Sequence, residues 1–466
     1  MSKPSRVSSA RPGRLSVGGT TYRLTNGTAQ SPATRPIVIG AGVAGLCSAI
    51  GLLECGLDPV VLEQRSGNKL EGGAGINCQA AAIDALATFG VPIETMKENG
   101  RVIKKQSYYT PDGRHVSSLD KSGKGDTPGQ IGIHRATLVK LLLDVAKSRE
   151  IDVLFKHHVS SIDQTSNPNA ITVRSEIRSN SIPLIVQGSM VIGADGLNSL
   201  VRRHYITGNR DRDPQCWHGA THYRGVVENF PTFLDGSTMI LAGGVKGVKA
   251  VVYPISNPKD GTQTINWVLA VEEDAISEDE GSYKDHILKL IREQGFNLGF
   301  LDVEDLISKT TEVMAWPMVD LDPLDTWTDS KIAIIGDAAH GMLPVGSGGA
   351  MAALLDAVAL RAAFEEGLEA KASTNQILRD YESRRYKDAS LHQGKCRKQP
   401  AENVVQEAMD KFPIGTDIPA EYDQRIRDIM AKIHNPQTFG SVEDLLILGV
   451  SKGIITKEQA EQLKSL

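Results

Sequence analysis

The residues best suited to chemistry in this chain of 466 amino acids sit in three glycine-rich turns, each associated with one carboxylate. Gly40-Ala41-Gly42-Val43-Ala44-Gly45 has the spacing GxGxxG and directly follows the apolar run PIVI. In such a turn the first glycine permits the reversal, the second lets a pyrophosphate approach the backbone, and the third lets a helix pack closely on a strand. The helix that starts at Val43 and Ala44 points its free N–H groups at the phosphates. Glu63 ends the next apolar run, DPVVLE, eighteen residues past Gly45, where a carboxylate accepts both hydroxyls of a ribose. An acidic residue there disfavours a 2′-phosphate, which leaves FAD or NAD as the tightly held dinucleotide.

Two further turns separate those alternatives. Gly193-Ala194-Asp195-Gly196 follows a short apolar strand and leads into Asn198, Ser199, Val201 and Arg202. Gly336-Asp337-Ala338-Ala339-His340 follows IAII, with Pro344 and then Gly346-Ser347-Gly348-Gly349-Ala350 opening a helix. NAD binding alone requires neither. The chemistry of a flavin explains the third turn: Asp337 accepts from a ribityl hydroxyl, and the amides around Gly348, Gly349 and Ala350 suit the negative charge of the reduced ring. Pro344 stiffens the backbone beside it.

The elements that must position these turns follow from patterning. Strand, turn, helix and strand run from Pro36 to Glu63, a helix-like stretch spans about Asn77 to Phe89, and HRATLVKLLLDVAKS has helical spacing. From about Cys216 to Glu272 the runs ATHYRGVVE, STMILAG, KAVVYPIS and TINWVLAVE are separated by turn residues, which predicts an antiparallel β layer. A long helix is expected from about Gly349 to Phe364, and a polar helical region without a motif follows Thr374. The fold class is therefore α/β, a Rossmann-like dinucleotide domain with an inserted antiparallel β substrate domain. The division expected is an arm over 1–35, dinucleotide-binding segments at 36–105, 131–210 and 317–390, a substrate-side hairpin or loop at 106–130, a β domain at 211–316 and a helical region at 391–466.

Composition narrows the function classes. The formal charge of −5 carries no basic excess of the kind nucleic-acid binders show. Five cysteines without a CxxC pair read as reduced thiols, and the histidines have no metal-ligand spacing, so no metal site is expected. The apolar run Ile37–Leu53 is too short to span a membrane. The first 36 residues hold six basic residues and no acidic one, which reads as a disordered arm or an organelle-targeting segment. The expected location is cytoplasmic, with the targeted alternative left open.

Taken in order, GAGVAG, GADGLNSLVR and GDAAHGMLPVGSGGA resemble the single-component FAD-dependent aromatic hydroxylases, the p-hydroxybenzoate and salicylate hydroxylase group. IHRATL and GGAGIN match as well, and HYRGVVE, FLDGSTMI, VYPIS and WPMVDLDPLDTW resemble the phenazine hydroxylases within that group. The resemblance covers about Pro36 to Tyr386. It implies an FAD-binding fold of the glutathione-reductase type. It also implies a monooxygenase that takes electrons from NADH or NADPH and hydroxylates a small aromatic or heteroaromatic substrate with O2 through a flavin C4a-hydroperoxide. Arg135 then contacts FAD, Gly75 lies in the loop beyond the ribose carboxylate, and Asp195 lies in a turn used for FAD and nicotinamide. His340 is implied to be mainly structural. Arg224, Tyr253 and Trp267 are candidates for recognising an aromatic acid, each with a structural alternative: an ion pair for Arg224, the core for Tyr253 and Trp267. The chain departs from the family at Gly348, where Asn is common, and at Gly341, where a larger residue is common. The remaining alternatives are a different oxygenation, such as kynurenine 3-hydroxylation or Baeyer–Villiger insertion, a flavin halogenase, and a non-catalytic FAD-binding scaffold. A homodimer is left open, with a contact or cavity role for Val442–Leu448.

Overall fold

We describe a computed structural model of the chain over residues 13–17, 20–24, 35–67, 73–123, 125–167, 170–177, 183–208, 215–273 and 282–433. The runs IVI, VVL, VI and IAI are β-branched and apolar on both faces, the pattern of parallel strands covered on two sides. They form the centre of a six-stranded sheet in the order Asp152–Phe155, Val60–Glu63, Pro36–Ile39, Met190–Gly193, Ile332–Ile334, Thr328–Asp329. Only the last pair is antiparallel. Register aligns Ile39 with Gly193 and Gly193 with Ile334. All three glycine turns therefore leave neighbouring strands at one edge, the carboxyl end where open α/β sheets bind ligands. Helices Val43–Glu54 and Gly349–Glu369 pack on this sheet and on each other, and their residues join its core.

A second, seven-stranded sheet runs in the order Met314–Leu321, Gln215–Pro231, Thr262–Val271, Val248–Pro254, Thr238–Ala242, Lys105–Tyr109, His115–Asp120. The antiparallel β layer read from the sequence is present, with one parallel joint between Thr238–Ala242 and Lys105–Tyr109 where a hairpin from an earlier part of the chain adds its strands. Two three-stranded antiparallel sheets complete the β structure among the described residues that follow Arg35.

Two local readings change. The stretch from Asn77 is strand before it is helix: Gly75–Gln79 pairs with Gln130–His134, and the helix begins at Ala80 and runs to Thr88. The alternating GINCQ segment meets a partner strand there, and the helical period starts only with AAAIDALAT. In the arm, Gly13–Val17 and Thr20–Leu24 pair as antiparallel strands. The polar C-terminal region forms helices Thr374–Lys398, Pro400–Lys411 and Ala420–Ile433. The last two bury Ala401, Val404, Val405, Tyr422 and Ile426 against Tyr108, Val116 and Leu119 of the hairpin. Val442–Leu448 lies outside the described residues. No helix among the described residues is long and apolar enough to cross a membrane.

Candidate functional site

The edge where the three turns meet opens into one cavity of about 870 Å³, running from Glu63 past Arg135 and Asp337 to Arg224 and Glu402. Gly40 holds a φ of +105°, and a Cβ there would lie 2.3 Å from the Ala194 carbonyl oxygen. A Cβ on Gly45 would lie 1.9 Å from the Gly40 oxygen, so the helix can approach the turn only with glycine there. Gly42 is different. A Cβ on it would meet nothing within 4 Å, because this residue faces the open cavity at the start of helix Val43–Glu54. A phosphate can therefore reach the backbone and the N–H groups beside Val43 and Ala44. Glu63 is fixed by the amides of Ala41 and Arg65, both donating at 2.8 Å, while its carboxylate stays on the wall.

Arg135 and Asp337 occupy the middle of the cavity. The guanidinium of Arg135 has Arg65, Asp337 and Glu63 as its nearest charges, and burial lowers its pKa. Asp337 is ringed by protein, yet its side chain is open to the cavity and accepts no hydrogen bond from the described residues. Burial pushes its carboxyl up, against the opposing charges of His340 and Arg135. An acceptor open to the cavity and unclaimed by the described residues is free to receive a ligand hydroxyl. The glycine cradle, the ribose carboxylate and this acceptor, spaced along one cavity, fit FAD.

Asp356 holds the third turn in place. It is fully buried and accepts from Gly336 N at 3.0 Å, His340 Nε2 at 2.5 Å and Arg385 Nε at 2.8 Å. His340 therefore orients the turn from the core and lies off the cavity wall. Arg202 ties the second turn to the third, donating to the carbonyls of Leu197 at 2.5 Å and Ala338 at 3.1 Å. Asp195 lines the cavity, but its carboxylate is committed to Ser199 Oγ, Leu200 N and Val201 N, which caps the following helical segment.

Pro344, Gly349 and Ala350 lie on the wall, as does Gly75, whose N–H donates to Asn266 Oδ1 at 2.6 Å. Gly348 is buried and off the wall: a Cβ on it would fall 1.8 Å from Nε2 of His392, whose ring fills the space a side chain would need. Gly341 is likewise crowded, by Leu197 Cδ1 at 2.6 Å from the position of a Cβ. At both departures from the family pattern another side chain of this protein takes the vacated volume. The loop between them is held by Gln79, whose side-chain amide donates to the Gly346 carbonyl, and by Asn77, which donates to Ser347 Oγ at 3.4 Å.

The far end of the cavity is roofed by one face of the seven-stranded sheet. Pairing sets His222, Ala270 and Lys249 in one row, Arg224, Val268, Val251 and Leu241 in the next, then Asn266, Tyr253, Met239 and Gln106. Arg224 is half-buried, its Nε atom buried and unpartnered, and its guanidinium carbon lies 5.8 Å from the ring centre of Trp316. Burial lowers its pKa, Tyr253 opposes that, and Arg135 adds to it. Tyr253 lines the cavity and is also packed with Ile103, Met239 and Ile255. Trp267 faces the other way into the core, its Nε1 donating to Thr310 Oγ1 at 2.8 Å.

His222, Lys249 and Glu402 also line the cavity, and the sequence reading gives none of them a role in it. His222 Nε2 is buried without a partner, and burial, with Lys249 and Arg224 beside it, holds the imidazole down to about 3. Lys249 donates to Glu402 Oε1 at 3.3 Å and Gln399 Oε1 at 3.1 Å. The period of two along VKAVVYP, which puts Lys249 on the face of Tyr253, is a signal for the lysine. Glu402, on a C-terminal helix, has none.

An FAD binding domain family model matches residues 33–391. The chain is 31% identical over 384 residues to the phenazine 1,6-dicarboxylic acid hydroxylase PhzS of Lysobacter antibioticus, covering 79% of this chain and 91% of that protein. It is 30% identical to 3-hydroxybenzoate 6-hydroxylase 1 of Aquipseudomonas alcaligenes, covering 72% and 80%. Among solved structures, Klebsiella pneumoniae HpxO complexed with FAD and uric acid superposes with a TM-score of 0.66 at 22% identity, covering 86% of this chain and 96% of that one.

Proposed function

We propose, from the premise that this chain belongs to the FAD binding domain family and is an FAD-dependent aromatic hydroxylase, that its substrate is an aromatic or heteroaromatic acid whose carboxylate is received by Arg224. The observation that carries this is a half-buried guanidinium, facing the cavity beyond the flavin cradle, whose buried Nε is unpartnered. A partly desolvated cation without a counter-ion is unfavourable, and a substrate carboxylate supplies one. Relatives named for a phenazine dicarboxylic acid and a hydroxybenzoate agree with an acidic ring substrate.

Bound FAD supplies the redox chemistry, passing electrons from NAD(P)H to O2 so that one oxygen atom reaches the ring. The chain's own residues do the rest. Gly42, Val43, Ala44, Glu63 and Arg135 hold the nucleotide portion, and Asp337 receives a ribityl hydroxyl. The amides at Gly349 and Ala350 open a helix toward the ring, and Pro344 stiffens the loop beside it. Val268, Val251, Leu241 and Met239 exclude water over the reacting ring. Arg224 fixes the ring's orientation, and neutral His222 offers a hydrogen-bonding nitrogen without adding charge.

Arg224→Gln tests this. Expected are full FAD content, a KM for aromatic acids raised about 30-fold or more, and little change toward neutral phenols. Substrate-stimulated NAD(P)H oxidation with low peroxide release marks a coupled substrate in the wild type. An unchanged KM for acids in the variant removes Arg224 from the reading.

A further inference from the structure

The cationic groups over the substrate end of this cavity are not equivalent. Arg224 keeps an unpartnered Nε, whereas Lys249 is already compensated by Glu402 and Gln399. Both members of that pair are buried, with side chains 9% and 7% exposed, and both line the cavity. His222, in the same row as Lys249, is neutral and adds no charge. The roof therefore presents a single net positive charge, at Arg224, and an overall neutral but strongly polar patch at Lys249–Glu402. From strand spacing and rise, the backbones of Arg224 and Lys249 are about 12 Å apart across the sheet, with Val268, Val251 and Ala270 between them. That separation suits a fused-ring system with one substituent at each end.

We infer that Glu402 makes the enzyme selective for aromatic acids with one acidic group, whose opposite end carries a neutral hydrogen-bond donor such as a hydroxyl or an amine. This deepens the aromatic-acid reading and rests on it. A second carboxylate at the far end would have to settle beside the buried Glu402 carboxylate, where like charges repel strongly. It would also compete for the ammonium of Lys249, which Glu402 and Gln399 hold. A neutral donor meets none of this: it donates to Glu402 while the ion pair stays intact. Specificity is thus set partly by a repulsive element. That element arrives on helix Pro400–Lys411, brought over the cavity by the chain reversal at Gln399, which holds a φ of +40°.

The test uses the full-length FAD-loaded protein and follows the flavin absorbance change on titration with a phenazine monocarboxylate and the matched dicarboxylate. Wild type binds the monoacid at least about tenfold more tightly than the diacid, the discrimination expected of one unfavourable buried charge contact. Glu402→Gln keeps the side chain's shape and frees the Lys249 charge, so the diacid gains about tenfold or more relative to the monoacid. The double variant Lys249→Met/Glu402→Gln removes both charges and loses that gain. A Glu402→Gln protein that holds FAD and binds the monoacid, yet shows the wild-type ratio, overturns the inference and leaves the aromatic-acid reading standing. Wild-type protein that binds neither acid overturns both.

Discussion

Gly348 offers a clean steric experiment, because its backbone already suits any residue. Its φ of −86° and ψ of −25° are ordinary helical values, so Gly348→Ala introduces no backbone strain and the whole cost is contact. The added Cβ would lie 1.8 Å from Nε2 of His392 and 2.8 Å from its Cδ2 and Cε1. Restoring an ordinary van der Waals separation requires the ring or the loop to give by roughly 2 Å. The ring is 1% exposed, sits within the 25-residue helix Thr374–Lys398 and has Cys396 Sγ at 3.7 Å, so it cannot retreat freely. Overpacking in such a site costs about 1–3 kcal/mol, and a displacement this large belongs at the upper end. If the ring resists, the loop moves, and the loop carries the amides of Gly349 and Ala350 into the cavity wall.

The variant is therefore expected to lose FAD affinity by up to about 100-fold, or to lose a comparable amount of global stability. Equilibrium dialysis of FAD and chemical unfolding of the holoenzyme measure the two. The decisive step is the pair: His392→Ala alone opens a small cavity, but combined with Gly348→Ala it provides the missing room. The two substitutions should be less harmful together than their separate costs imply, with a coupling of about 2 kcal/mol. If Gly348→Ala binds FAD and unfolds like the wild type, or if His392→Ala fails to rescue it, the packing argument is wrong.

Two further outcomes follow from buried titratable groups. Burial pushes the Asp356 carboxyl up, but the charges and hydrogen bonds of His340 and Arg385 outweigh it and hold the value at about 2. Because that lies below the ordinary 3.8, the stabilisation is complete above about pH 4 and is lost as pH falls toward 2. Asp356→Asn should cost about 3 kcal/mol or more at neutral pH, release FAD through the loosened Gly336 turn, and flatten acid unfolding over that window. An unchanged acid profile would refute the assignment. His222, held at about 3, stays neutral from pH 5 to 8, and the stability this confers is present above 6.5 and lost as pH falls toward 3. His222→Gln should leave the pH dependence of acid binding between pH 5 and 8 unaltered; loss of an inflection near 6.5 would show the imidazole titrating there instead.

What could be read in advance follows how locally each feature is encoded. The parallel sheet and its three turns are contiguous strings, IVIGAG, VIGADG and IAIIGD, so strand and reversal arrive together, in the last two with their carboxylate, and the pairing of Ile39, Gly193 and Ile334 needs only the ordinary rules of such sheets. Asp356 left a weaker trace, one charge inside the apolar helix GAMAALLDAVALRAAF, where a buried carboxylate must have partners. Lys249 was legible through its alternation with Val251 and Tyr253. Glu402 was not, since it meets Lys249 across 153 positions of chain from a polar helix whose spacing marks no chemistry. Gly348 lay between these cases: its departure from the family pattern was visible, but the reason required seeing the His392 ring in the space. The cofactor cradle is thus encoded in short motifs, while Glu402 at the far end of the cavity comes from long-range packing of a C-terminal helix on the roof. It follows that exchanging the C-terminal helices for a relative's should alter which acid is accepted more than how tightly FAD is held, because Glu402 travels with them and the three turns do not.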